Sequence, residues 1–335
     1  MPVSVSVLAS LRESARLVST HYSTQIEGNG LTQEQVAGVS KGGTFPHRKR
    51  DELEVKNYFK ALDYLDVLVE KKTLKIKETE IRKLHGLVLN GKQKATPYRD
   101  GQNVIRDSAN GAIVYLPPEA KDVSELMSQL ISWVNQTMAE DELPSPLVAA
   151  MAHYQFATIH PYFDGNGRAA RLLTCLILHK AGYGLKKIFS LEEYYAKDLQ
   201  SYYKALDIGD SHNYYEGRAQ ENITSWLEYF CAGMAEAFSN VRNTAREASK
   251  YSTIDQSSLL RELDERQKAV LALFSENRFI TTKDVATHLG LHIRTSLNLC
   301  NGWCASGFVV RHGTGPKNRR YELGETWLAL LPNSV

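Results

Sequence analysis

The sequence predicts a mainly α-helical protein that carries one small β-hairpin and ends in a separate small module. Three observations lead there. Apolar residues recur at three- and four-residue spacing through most of the first 245 positions. Short β-branched runs around a turn signal are confined to one stretch near residues 102–116. A polar stretch beginning at Asn243 then precedes a last segment in which helical pattern gives way to two strand-like runs.

The first helical pattern covers residues 8–26. The stretch LTQEQV opens the next, with Thr32 and Gln35 spaced as a capping box that satisfies backbone N–H groups at both ends. KGGTFPHRKRDE reads as a loop. Over residues 52–69, Leu53, Tyr58, Leu62, Leu65 and Leu68 fall at helical spacing, and KETEIRKLHGLVLNG repeats the pattern up to the stop at Gly91. YRDGQNVIRDSANGAIVYLPP predicts the hairpin, with Asn110-Gly111 at its tip. Asp122 and Glu125 are spaced as a second capping box before another helix, and SPLVAAMAHYQFATIH continues the helical pattern. RAARLLTCLILHKAGYG, SLEEYYAKDLQSYYKALDIGD and ENITSWLEYFCAGMAEAF supply three more helices. NTAREASKYSTIDQSS is either a linker or the end of a long helix. The expected organisation is an N-terminal helical region over 1–100, a core with the hairpin over 101–245, and a linker with a small domain over 246–335.

A chain of 335 residues that is 43% hydrophobic buries a substantial core. Its formal charge of +2 gives no overall polyanion signal, so any nucleic-acid surface must be local. No secretory signal and no run of eighteen apolar residues is present, which makes a cytoplasmic protein without a membrane anchor the expectation. The four cysteines then read as reduced thiols. His292, Cys300, Cys304 and His312 lack a paired CxxC, which argues against zinc.

Residues 160–171 read HPYFDGNGRAAR. Gly165 and Gly167 flank Asn166 immediately before a strong helix, so the backbone turns tightly and aims successive N–H groups at one point, as phosphate requires. Arg168 and Arg171 stand three apart on one helical face, where both forks reach one polyanion. Asp164 beside such a cradle makes sense with a divalent ion between carboxylate and phosphate. His160, titrating near neutrality, is the candidate general base. Singly, each has a plainer reading: GNG is a common turn, a histidine is usually structural, and two arginines often form a solvated face. Their concurrence within twelve residues favours a nucleotide site.

This stretch resembles the signature of the Fic (filamentation induced by cAMP) family, His-Pro-Phe-x-Asp/Glu-Gly-Asn-Gly-Arg-x-x-Arg, with Tyr162 in place of phenylalanine. The resemblance extends over roughly residues 10–245 and implies a Fic-type helical core, with the hairpin as a flap docking an extended target segment. The implied activity is transfer of AMP from ATP to a Ser, Thr or Tyr hydroxyl of a protein, itself included. It implies His160 as base and Asp164 as the ligand of Mg²⁺ or Mn²⁺. Gly165, Asn166, Gly167, Arg168 and Arg171 would bind the phosphates, with Arg171 at the γ-phosphate. Tyr203 would lie near the adenine, or be a core aromatic. Transfer of a different phosphate-containing group is the alternative chemistry.

STQIEG matches a second pattern of the family, the inhibitory-helix motif, at Ser23, Glu27 and Gly28. A carboxylate delivered to Arg171 would neutralise the γ-phosphate ligand and repel the phosphate itself. The plainer reading is a surface glutamate beside a glycine cap. Relief through a homodimer, target binding or self-modification stays open, as does a role for Glu27 in removing AMP.

From Leu259 the chain resembles a winged helix-turn-helix. Between Arg278 and Arg320, both included, stand seven Lys/Arg against one Asp, a bias suited to DNA backbone. Arg294, Asn298 and Asn301 are the side chains suited to base edges. Arg319 and Arg320 are the candidate phosphate contacts of the wing. The rival reading is therefore a transcriptional regulator whose core senses nucleotide, and a third is a tail that docks protein.

Overall fold

The computed structural model describes residues 5–71, 75–106, 111–184, 188–207, 212–250, 257–313, 315, 318–328 and 330–331. Contacts divide the chain into two units. One spans Ser14–Asn240; the other runs from Val241 onward and includes the start of the first helix, up to Glu13.

In the first unit α1 (Val5–Gln25), α2 (Gln33–Ser40), α3 (Lys49–Glu70) and α4 (Glu78–Asn90) precede a two-stranded hairpin of β1 (Ile105–Arg106) and β2 (Ile113–Tyr115). Then follow α5 (Ala120–Glu140), α6 (Ser145–Ile159), α7 (Asn166–Lys180), α8 (Glu192–Lys197), α9 (Leu199–Leu206) and α10 (Thr224–Lys250). Helix α7 sits at the centre, with α3, α4 and α6 packed on it. Its Ala169, Ala170, Leu172, Leu173, Leu176 and Ile177 are all buried, and a helix apolar on nearly every face has no alternative to the interior. Emptying one such site, as in Leu173→Ala, would cost about 3 kcal/mol. Helix α6 offers Ala149, Ala150 and Ala152, whose small side chains let the two axes approach closely.

Local chemistry explains most boundaries. Thr32 and Gln35 form the expected box at α2, and Gly91, in the left-handed region, closes α4. Three expectations need correction. Leu53 is 55% exposed; the buried stripe of α3 instead runs through Val55, Tyr58, Ala61, Leu62, Leu65 and Leu68. Helix α5 starts at Ala120, which puts Asp122 inside the first turn, where it accepts the Tyr215 hydroxyl instead of capping. SLEEYYAKDLQSYYKALDIGD is two helices, because Asp198 leaves helical geometry to accept from the Ser201 backbone N–H and hydroxyl. The polar stretch after Asn243 continues α10 to Lys250, the second of the two readings. The hairpin forms, with Ile105 opposite Tyr115 and Arg106 opposite Ile113; Asn110 of the expected tip lies outside the described residues.

The second unit contains α11 (Ser257–Glu262), α12 (Glu265–Glu276), α13 (Thr282–Leu289) and α14 (Ile293–Ala305). An antiparallel ribbon of β3 (Val309–His312) and β4 (Arg320–Leu323) follows, then α15 (Glu325–Leu328). Val270, Phe274, Val285, Trp303, Phe308 and Tyr321 belong to a core of its own. Thr281 caps α13 through Asp284. Pro316 and Lys317, at the expected ribbon tip, lie outside the described residues. No helix among the described residues is long and apolar enough to cross a membrane.

Candidate active site

HPYFDGNGRAAR runs through the turn between α6 and α7 and into the first turns of α7. His160 ends α6 in the left-handed region, at φ 49°, an uncommon backbone for a residue with a Cβ. Its Nδ1 lies 3.3 Å from the Ala157 carbonyl, which only accepts, so Nδ1 carries the proton and the lone pair is on Nε2. Burial pushes the ring down to about 4; the Ala157 bond and Glu27 oppose that shift, while Arg99 adds to it. His160 is therefore a neutral imidazole at pH 7.

The loop after it is braced by side chains that the motif alone does not reveal. Asn166 donates to the Tyr162 carbonyl at 2.7 Å and accepts from the Tyr162 N–H at 2.9 Å, so its amide is spent on loop geometry and only its backbone is left for a phosphate. Tyr162 stacks on His85 of α4, ring centroids 3.4 Å apart. Its hydroxyl is buried toward Thr96 without a bond of good geometry. His85 Nε2 donates to the Asp164 carbonyl at 2.8 Å and Nδ1 meets Thr96 Oγ1 at 2.7 Å. Gly165 caps α7 at φ 79°, which favours glycine, and a Cβ there would stand 3.1 Å from His85 Nε2. The first backbone N–H groups of α7 thus face outward from a rigid turn, as anion binding requires.

Charge is distributed around that helix start. The Asp164 carboxylate is 65% exposed. Its Oδ1 accepts from the Gly165 N–H at 2.5 Å and from Arg168 Nη2 at 3.2 Å. An exposed hard oxygen beside an anion-binding helix start fits a divalent cation that takes its remaining ligands from phosphate and water. Among the described residues no group of three or more His, Cys, Asp or Glu gathers to hold a metal by protein ligands alone. Arg168 is buried, its Nε without a partner among the described residues.

Arg171 is 2% exposed and points back to the end of α1. Nε donates to Ser23 Oγ at 2.9 Å, and Nη2 donates both to the Ser23 carbonyl at 2.8 Å and to Glu27 Oε1 at 2.8 Å. Burial is the largest single effect and depresses the guanidinium, but Glu27, by charge and by hydrogen bond, together with Tyr202 and Tyr58 exceeds it, and the net shift is upward. Gly28, at φ 90°, stands in the turn that follows α1 and also carries Glu27. A Cβ on Gly167 would lie 2.3 Å from Glu27 Oε1, so only glycine admits the carboxylate this close to the start of α7. Tyr203 is half exposed, its hydroxyl donating to the Ile26 carbonyl at 3.4 Å. That places it at the mouth of the site beside Glu27, while its neighbour Tyr202 is the core aromatic, bonded to His153.

Arg99 is the residue the sequence reading missed. It is 4% exposed; its Nε donates to the His160 carbonyl at 3.0 Å, its backbone N–H to Pro161, and its fork to the carbonyls of Gly101 and Pro118. One guanidinium thus ties the His160 turn to the chain on both sides of the hairpin. Tyr115 of β2 adds a bond to the Thr158 carbonyl at 2.9 Å. In the second unit, Arg294, Asn298 and Asn301 are exposed along one face of α14. Arg278 is paired with Glu322 at 2.8 Å and Arg320 lies over the Phe279 ring at 4.2 Å, so part of the basic excess is engaged locally. His312 pairs with Glu322, and His292 caps α14 by accepting from the Arg294 N–H.

A helical core with this central turn is the Fic-type fold that the sequence led us to expect. Residues 75–178 match the Fic/DOC family. It is 29% identical over 230 residues, 67% of its own length and 43% of the relative's, to "Protein adenylyltransferase fic-1" of Caenorhabditis briggsae. The chain spans less than half the length of the curated relatives it matches first. Among solved structures, a Fic family protein from Desulfovibrio desulfuricans shares the fold with a TM-score of 0.56 at 24% identity, covering 94% of this chain and 87% of that one. A Fic domain containing signaling protein from Bacteroides thetaiotaomicron gives 0.64 at 22%, covering 75% and 92%.

Proposed function

We propose that this chain is a protein adenylyltransferase that moves AMP from ATP to a Ser, Thr or Tyr hydroxyl of a protein, held off by its own Glu27. The observation that carries the reading is the placement of a neutral His160, its Nδ1 bonded to Ala157, at the lip of the α7 N-terminus. The target hydroxyl oxygen bonds to the α-phosphorus, the bond from that phosphorus to the bridging oxygen breaks, His160 Nε2 takes the proton, and pyrophosphate leaves. The Gly165–Gly167 backbone and Arg168 hold the phosphates as charge builds on their oxygens. Asp164 is the residue that would hold Mg²⁺ or Mn²⁺, which neutralises phosphate charge when bound. Arg171 orients the γ-phosphate once Glu27 gives way, and Tyr203 borders the adenine. The hairpin presents a strand edge to an extended target segment, a mode tolerant of sequence.

The likeness to a relative named protein adenylyltransferase supports the chemistry, and the 2.8 Å Arg171–Glu27 pair supports the restraint. A duplex-binding role for the second unit is the other reading, favoured by the exposed Arg294, Asn298 and Asn301 on one face. The test of the main reading is incubation with ATP followed by intact-mass measurement: a protein gaining one AMP less one water in the Glu27→Gly chain, and none in Glu27→Gly with His160→Ala. Duplex binding at low salt that Arg294→Ala weakens would support the second role.

A further inference from the structure

Glu27 covers one edge of Arg171; the opposite edge is held from behind by a chain of buried side chains. A guanidinium only donates, so Ser23 Oγ is an acceptor in the 2.9 Å bond from Arg171 Nε. Its own proton is then left for another oxygen, and the oxygen beside it is the Tyr58 hydroxyl of α3. Tyr58 in turn stands 3.2 Å from Glu192 Oε1, and a carboxylate only accepts, so Tyr58 donates there. The end groups fix the direction of the two bonds, Arg171 to Ser23 and Tyr58 to Glu192, and leave the Ser23 hydroxyl facing the Tyr58 oxygen between them.

Nothing along this path is wet. Ser23 and Tyr58 are 0% exposed, Glu192 1% and Arg171 2%. Glu192 Oε2 accepts from Ser190 Oγ at 2.8 Å, and the Cys175 thiol lies 3.9 Å from Oε1. The partners its oxygens find are hydroxyls and a thiol, not a cation. A buried carboxylate is costly unless its charge is used, and here it faces, through two hydroxyls, the buried Arg171.

We propose that Tyr58 and Glu192 are positioning residues for the γ-phosphate: with Ser23 they form a fixed anchor that keeps Arg171 aimed outward when its Glu27 contact is exchanged for ATP. The proposal rests on the reading of Arg171 as the γ-phosphate ligand. Glu27 and the γ-phosphate compete for the outer edge of the fork, whereas the inner edge stays bonded in both states. The anchor therefore acts on nucleotides that have a γ-phosphate and leaves those without one alone.

The test uses the full chain with Glu27→Gly and His160→Ala, so that Arg171 is released and no turnover occurs, with ATP and ADP each titrated by calorimetry in Mg²⁺. Adding Tyr58→Phe, which deletes one hydroxyl from a packed ring, is expected to weaken ATP about tenfold and to leave ADP within about twofold, the loss of one charge-linked hydrogen bond. Glu192→Gln keeps an acceptor but drops the charge and is expected to shift ATP the same way by less; it carries the test if the Tyr58 variant does not fold. A packing defect would weaken both nucleotides alike, and that outcome, or no change in either, overturns the proposal. If the parent chain already binds ATP and ADP equally, the Arg171 reading has failed and the anchor falls with it; a parent that prefers ATP and keeps its preference in both variants overturns the anchor alone.

Discussion

Arg171 and Glu27, 144 residues apart in the chain, meet at 2.8 Å in a site where the arginine is almost wholly buried. On the proposed reading, the contact occupies the part of the Arg171 guanidinium that would meet the γ-phosphate. An arginine–carboxylate pair in a cleft is a strong, directional contact, and an incoming γ-phosphate must displace it while being repelled by the same carboxylate.

Glu27→Gly should therefore raise the initial rate of AMP transfer by about tenfold or more, since removing a partly buried ion pair of this kind changes the competition by more than 1.4 kcal/mol. The gain should fall mainly in kcat, because a misoriented ATP still binds. Adding Arg171→Ala should cancel it. Initial labelling rates of the three chains, with self-modification as the readout, check this. Product that accumulates without a faster initial rate would move Glu27 from restraint to AMP removal.

How much of this could be read from the sequence depended on how far apart the cooperating residues lie. His160, Asp164, Gly165, Gly167 and Arg168 fall on one turn, so their order alone specifies their neighbourhood. Glu27 and Ser23 became visible only as a second motif, since nothing in their spacing points at Arg171. Arg99, His85, Tyr58 and Glu192 were illegible, because each reaches the site only through tertiary packing and is embedded in ordinary local pattern. The helices themselves were read well where period and caps agreed. They were misread at Asp198 and Asp122, where an acidic side chain had a choice of partner that only tertiary structure settles.

Arg99 should prove structurally expensive to remove. Arg99→Ala leaves the carbonyls of His160, Gly101 and Pro118 without a buried donor. A destabilisation of about 3 kcal/mol is expected from denaturant titration. Activity should fall more than stability explains, since the same guanidinium pins the His160 backbone. A variant as stable as the parent would contradict the bracing role.

Acid should destabilise the fold through its neutral histidines. Burial pushes His153 down to about 3 and both His85 and His160 down to about 4, from an ordinary 6.5 in the unfolded chain. Below pH 6.5 the unfolded state takes up protons that the folded state refuses, so their contribution is full above 6.5 and is lost as pH falls toward 4. The slope is about 1.4 kcal/mol per pH unit for each histidine. Melting temperature should drop between pH 6.5 and 5; a value unchanged over that interval would argue that these rings are not neutral.

Asp164→Ala should raise the concentration of Mg²⁺ or Mn²⁺ needed for half-maximal turnover and lower the maximum by at least about tenfold. Parent activity that persists in excess chelator would remove the carboxylate's reason for standing beside a phosphate cradle.

The most direct measurement on the central claim compares ATP labelled at the α-phosphate with ATP labelled at the γ-phosphate, using the Glu27→Gly chain with and without His160→Ala. AMP transfer predicts that the α-label becomes fixed to protein, the γ-label leaves with pyrophosphate, and neither is fixed once His160 is gone. Retention of the γ-label, or α-labelling undiminished in the His160→Ala chain, would contradict it.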